Sequence, residues 1–125
     1  MIFAYIFIVL MIGAVIFQIA LALGAPYGEF TLGGKYPGKL PLNLRITAIL
    51  QAIILIIFMI IAISKSGIAF DFLYEISKIG IWVVFAFFII GTILNLLSPS
   101  KKERIVMGTI NIAALICAFM VAVGF

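Results

Sequence analysis

Four side chains carry full hydrogen-bonding capacity inside long apolar runs: Gln18, Gln51, Asn95 and Asn111. A carboxamide both donates and accepts. In hydrocarbon, four of them either bond helix to helix or line a site that takes up a polar group. Three charged residues extend the chemical inventory. Glu29 is the only acid between the first two apolar runs, and Arg45 and Arg104 have the planar fork that suits a phosphate. Together they would make a thin enzyme acting on lipid, with Glu29 as acid or base and the arginines as a phosphate clamp. The chain has no histidine and one cysteine, Cys117, inside the last apolar run. Haem ligation, His/Cys metal sites, histidine acid–base catalysis and an internal disulfide are therefore removed. No cofactor or metal is expected. Gly33-Gly34-Lys35 lacks the upstream glycine and downstream Ser/Thr of a phosphate-binding loop, so nucleotide binding is rejected.

The elements that must hold these groups are transmembrane helices. Of 125 residues, 67% are hydrophobic and 10% charged, and the mean hydropathy is +1.46, far from the soluble range of roughly a quarter charged. Apolar runs of about 20 residues, enough to cross a hydrocarbon core about 30 Å thick, recur four times. The expected fold is all-α: a single transmembrane domain over 1–125, an integral membrane four-helix bundle with helices at about 2–23, 42–63, 73–97 and 101–125. An ordered Gly/Pro-rich loop spans 24–41. Ala20-Leu21-Ala22 looks like a signal-peptidase site, but the run before it is too long and lacks a basic start, so a retained span is expected. Loop 24–41 holds five of the eleven glycines and three of the four prolines, a composition for ordered turns.

Basic residues set the expected orientation. Lys35, Lys39, Arg45, Lys101, Lys102 and Arg104 fall in the first and third loops, and only Lys65 and Lys78 in the second. The positive-inside rule places loops 24–41 and 98–104 in the cytoplasm and both termini outside, in a multi-pass cell-membrane protein. The eight cations form no continuous stripe, so the net charge of +4 points to anionic lipid headgroups and not to nucleic acid. Ser100 with Glu103 three residues on reads as a capping box. Asp71 and Glu75 read as charges at the positive end of a helix. Glu29 is expected to pair with Arg45 or Arg104 across the bundle mouth.

The four amides lie roughly 5 to 10 Å from that same face, at about 1.5 Å per residue. Helical spacing predicts interior stripes of Phe7, Met11, Ala14 and Gln18; Thr47, Gln51 and Leu55; Gly80, Val84, Phe87, Gly91 and Asn95; and Gly108, Asn111, Leu115, Ala118 and Ala122. Ala113, Ala114 and Cys117 are left for contacts outside the bundle, so a homo-oligomer is plausible. The candidate pocket or loop site comprises Gln18, Pro26, Tyr27, Glu29, Arg45, Gln51, Asn95, Arg104 and Asn111.

Gly24-Ala25-Pro26-Tyr27-Gly28, Gly33-Gly34, Leu40-Pro41 and Arg45, with Asn95 and Ser98-Pro99-Ser100-Lys101-Lys102-Glu103-Arg104, resemble a family of small four-span prokaryotic membrane proteins along the whole chain. Tyr27 stands where that family usually has Trp, and Met107 and Thr109 where it commonly has Trp and Pro. The resemblance implies the topology and a pairing of the first and third loops, and no activity. Function is thus expected from the site: a small, non-enzymatic membrane component binding lipid or a protein partner through a cytoplasmic-side polar pocket. The alternative is an oligomeric transporter or channel for a small solute or ion.

Overall fold

A computed structural model describes all 125 residues. It is all-helical: α1 (Ile2–Ala22), α2 (Leu42–Lys65), α3 (Tyr74–Leu96) and α4 (Gly108–Ala122), with a π turn over Glu103–Met107 running directly into α4. All four helical stretches are long and apolar enough to cross a membrane. Their ends follow from local chemistry. Past α1, α2 and α4 stand Gly24, Gly67 and Gly124, each at positive φ, where the chain turns back and covers the last carbonyls. That turn ends α4 at Ala122, short of the 125 expected from apolarity, while α2 runs two residues further than expected, to Lys65. A 3-10 turn over Asp71–Leu73 precedes α3, which begins at Tyr74 and stops at Leu96.

Neighbours in sequence are neighbours in space, and α4 closes the ring against α1. One half of the bundle, holding the starts of α1 and α3 and the ends of α2 and α4, is packed around a single apolar core. Phe7, Met11, Leu55, Phe58, Ile81, Val84, Phe88, Cys117 and Val121 form one core with Ala4, Ala62, Ala114 and Ala118. Phe7 and Phe88 meet edge to face at 5.9 Å between centroids, and Phe58 and Phe87 at 4.9 Å, a geometry that adds about 0.5–1.5 kcal/mol per pair beyond burial. Small residues let the backbones approach, the usual basis of helix association where lipid supplies no hydrophobic drive. In the other half a small cluster of Leu21, Leu40 and Ala48 pins the loop to α1 and α2.

Three expected faces are corrected. Thr47 is exposed, and its hydroxyl donates back to the Asn43 carbonyl at 3.2 Å. On α3 the buried stripe is Ser77, Ile81, Val84, Phe88 and Thr92; it shares Val84 with the expected stripe but has Phe88 where Phe87 was placed. Ala114 and Cys117 lie inside the bundle core and not on an outer face, which leaves only Ala113 of the three residues assigned to association. In each case the helix is apolar all round, so hydropathy cannot tell lipid from core.

Candidate functional site

Loop 24–41 folds back on itself, with the Gly28 N–H donating to the Gly38 carbonyl at 2.9 Å. Within it Leu32, Gly33 and Gly34 are consecutively left-handed, at φ +53°, +69° and +74°. A leucine in that region is strained by about 1–2 kcal/mol. The turn is held from outside. The Gly33 N–H donates to Glu103 Oε2 at 2.8 Å, and the Ser98 hydroxyl donates to the same oxygen at 3.2 Å. Glu103 is 7% exposed. The Ser100 hydroxyl donates to the Glu29 carbonyl at 2.6 Å, and a Cβ on Gly34 would stand 2.9 Å from the Ser100 Cβ. Only glycine fits there. Lys102 Nζ pairs with Glu29 Oε1 at 2.5 Å and lies over the Phe30 ring. Phe30 in turn meets Phe17 of α1 edge to face.

Two sequence expectations change here. Half of the capping box forms: the Glu103 N–H donates to Ser100 Oγ at 3.3 Å. The return bond is absent because the Ser98 hydroxyl takes the Ser100 N–H instead, at 3.1 Å. That frees the Glu103 carboxylate to reach across to Gly33. Glu29 pairs with Lys102 and with neither arginine, since both arginines are turned to backbone carbonyls. Arg45 Nε donates to the Ala22 carbonyl at the end of α1, and Arg104 Nη1 to the Ser98 carbonyl just beyond α3, each at 2.9 Å. The Ala22 carbonyl is orphaned at the negative end of the α1 dipole, so a guanidinium is doubly favoured there. Lys65 does the same for Val121 of α4, at 3.4 Å.

Beneath the tied loops lies a cavity of about 1030 Å³, at the upper end of small-molecule sites. Its roof is Tyr27, Phe30, Thr31, Leu32, Gly33 and Lys35 with Ser98, Pro99 and Glu103. Its walls carry all four amides, Gln18, Gln51, Asn95 and Asn111, among Met11, Phe17, Leu55, Phe87, Phe88, Leu94 and Ile110. Gly91 leaves room for Asn111, whose Nδ2 would lie 3.4 Å from a Cβ at that position. The amides are half-buried. None makes a side-chain hydrogen bond to the protein, so helix-to-helix bonding, the simpler sequence reading, is not what they do. Pro26, Glu29, Arg45 and Arg104 lie outside the cavity wall.

Glu103, Ser98, Gly33 and the Phe17–Phe30 contact were not among the candidate residues. The one sequence signal for them is the joint appearance of Gly33-Gly34 and the Ser98–Arg104 turn in the resemblance. No three His, Cys, Asp or Glu side chains come together as a metal-ligand set. Fold and site define a class, an all-helical chain with four helices apolar enough to span a membrane and an amide-lined cavity roofed by two joined loops. No family model, curated protein or solved structure matches this chain.

Proposed function

We propose that this protein is a non-enzymatic integral membrane component that binds lipid in the cavity under loop 24–41. The observation that carries the reading is the convergence of Gln18, Gln51, Asn95 and Asn111 on one largely apolar cavity, with no partner for them in the protein. Unpaired amides at membrane depth cost free energy, and a bound polar group removes that cost. With loops 24–41 and 98–104 on the cytoplasmic side, the remaining lysines Lys35, Lys39 and Lys101 face anionic headgroups of the surrounding leaflet.

The enzyme reading loses support because its parts are otherwise engaged. Glu29 is paired with Lys102, Glu103 is held by Gly33 and Ser98, and both arginines donate to backbone carbonyls. Transport through a single bundle is disfavoured by the packed half, where Phe7, Val84 and Ala118 are fully covered.

Mass spectrometry of the intact protein released from mild detergent tests the reading. The wild type is expected to carry lipid that Gln51→Leu with Asn111→Leu fails to retain. A folded wild type that carries none would refute it.

A further inference from the structure

The four cavity amides are uncharged, and the cavity wall carries one charge of each sign, Glu103 and Lys35. Glu103 lines the cavity, buried, next to Ser98 and Gly33. Of the cations that could offset a phosphate, Arg45 and Arg104 are turned to helix carbonyls and Lys102 is paired with Glu29. Lys35, at the roof, is the single cation on the wall. A phosphate among the amides would share the cavity with a buried carboxylate and have only Lys35, at the roof, as a cation on the wall, and buried charge without a close partner is strongly disfavoured. A ligand that only accepts hydrogen bonds would in turn leave the amide oxygens unmet, since each amide needs donors as well as acceptors.

The cavity is also open sideways. Phe87, Ile90 and Leu94 line it, yet they are 37%, 60% and 63% exposed to the surroundings of the bundle. Phe87 meets Phe58 of α2, whereas Trp82 and Phe85 on the opposite flank of α3 meet Phe119 of α4. Phe87, Ile90 and Leu94 share a flank at helical spacing, so the opening lies between α2 and α3. The Phe58–Phe87 contact closes it toward the packed half. Gln51 and Leu55 face it from α2. A slot of this kind lets an acyl chain remain in the bilayer while its polar end reaches the amides.

We infer, resting on the lipid-binding reading above, that the occupant is an uncharged glycerolipid with a free hydroxyl, of the diacylglycerol type, its hydroxyl and ester groups at the amides and its chains leaving between α2 and α3. The hydroxyl donates to one amide oxygen and the ester carbonyls accept from amide N–H groups, so both kinds of amide atom find a partner. The anionic headgroups met by Lys35, Lys39 and Lys101 belong to the surrounding leaflet.

The test uses the full chain in nanodiscs with a diazirine-tagged diacylglycerol, an equally tagged phosphatidylglycerol and a tagged isoprenoid quinone, with crosslinked peptides mapped by mass spectrometry. Diacylglycerol is expected to label the segments around Gln51–Leu55 and Ile90–Leu94. Unlabelled diacylglycerol should compete and phosphatidylglycerol should not. Gln51→Leu is expected to lower labelling about three- to tenfold, the loss of one membrane hydrogen bond. Leu94→Trp, which narrows the slot and leaves the amides in place, should lower it also. Equal labelling by phosphatidylglycerol, or stronger labelling by quinone, overturns the uncharged hydroxyl lipid and leaves lipid binding standing. Absence of cavity labelling by all three probes overturns both.

Discussion

Glu103 joins parts of the chain seventy residues apart through one buried carboxylate oxygen, which accepts from Gly33 and from Ser98. Hydrogen bonds to a charged group contribute about 1.5–3 kcal/mol each. Glu103→Leu is therefore expected to destabilise the fold by about 2–3 kcal/mol and to speed amide exchange at Gly33 and Gly34. Thermal unfolding in detergent and hydrogen exchange check this. The exposed Glu29–Lys102 pair is a contrast. Glu29→Gln should cost no more than about 1 kcal/mol, so a Glu29→Gln effect as large as that of Glu103→Leu would reverse the ranking of the two acids. Residue roles were only partly legible. The amides stood out because polar groups are rare in apolar runs, and their depth followed from counting. Glu103 did not, because its spacing from Ser100 satisfies a local capping rule, and only the fold reveals that Ser98 takes over the second capping bond. The arginines were misread for a related reason: sequence locates a guanidinium but not the helix end that claims it.

At the scale of elements, two features hold the roof in place. Arg45 caps α1 across the loop, and a lysine there lacks the Nε donor used. Arg45→Lys and Arg45→Ala are both expected to lower stability by about 1 kcal/mol, read as a shift in the unfolding midpoint. Gly34 is left-handed and in contact with Ser100. Gly34→Ala should cost about 1–3 kcal/mol and loosen the roof, with raised proteolysis within 24–41. Unchanged proteolysis would show that the close approach of the two loops is not needed. The helices themselves were legible from length and apolarity, whereas the glycine turns that end α2 at Lys65 and α4 at Ala122 were not. Their inward faces were less so: α1 was placed correctly because Gln18 marks its polar end, whereas Thr47 on α2 and Phe87 on α3 were misassigned, since a helix apolar on every side gives no period to read.

For the whole molecule, four helices apolar enough to span a membrane are legible in sequence, its cations lead to an expected orientation, and structure adds a division into a packed half and a half with a cavity. Orientation is checked on a Cys117→Ser background. Ser66→Cys is expected to react with an impermeant maleimide on intact cells, and Lys39→Cys and Lys101→Cys only after the membrane is opened; the reverse pattern would invert the cytoplasmic assignment of the loops. The central claim is that lipid satisfies the four amides beneath loop 24–41. Its most direct test is a high-resolution structure in a lipid nanodisc, with a bound antibody fragment for alignment. Elongated non-protein density is expected under Gly33, within hydrogen-bonding distance of at least two of Gln18, Gln51, Asn95 and Asn111, and continuing out between α2 and α3. A collapsed cavity in which those amides bond to one another would contradict it.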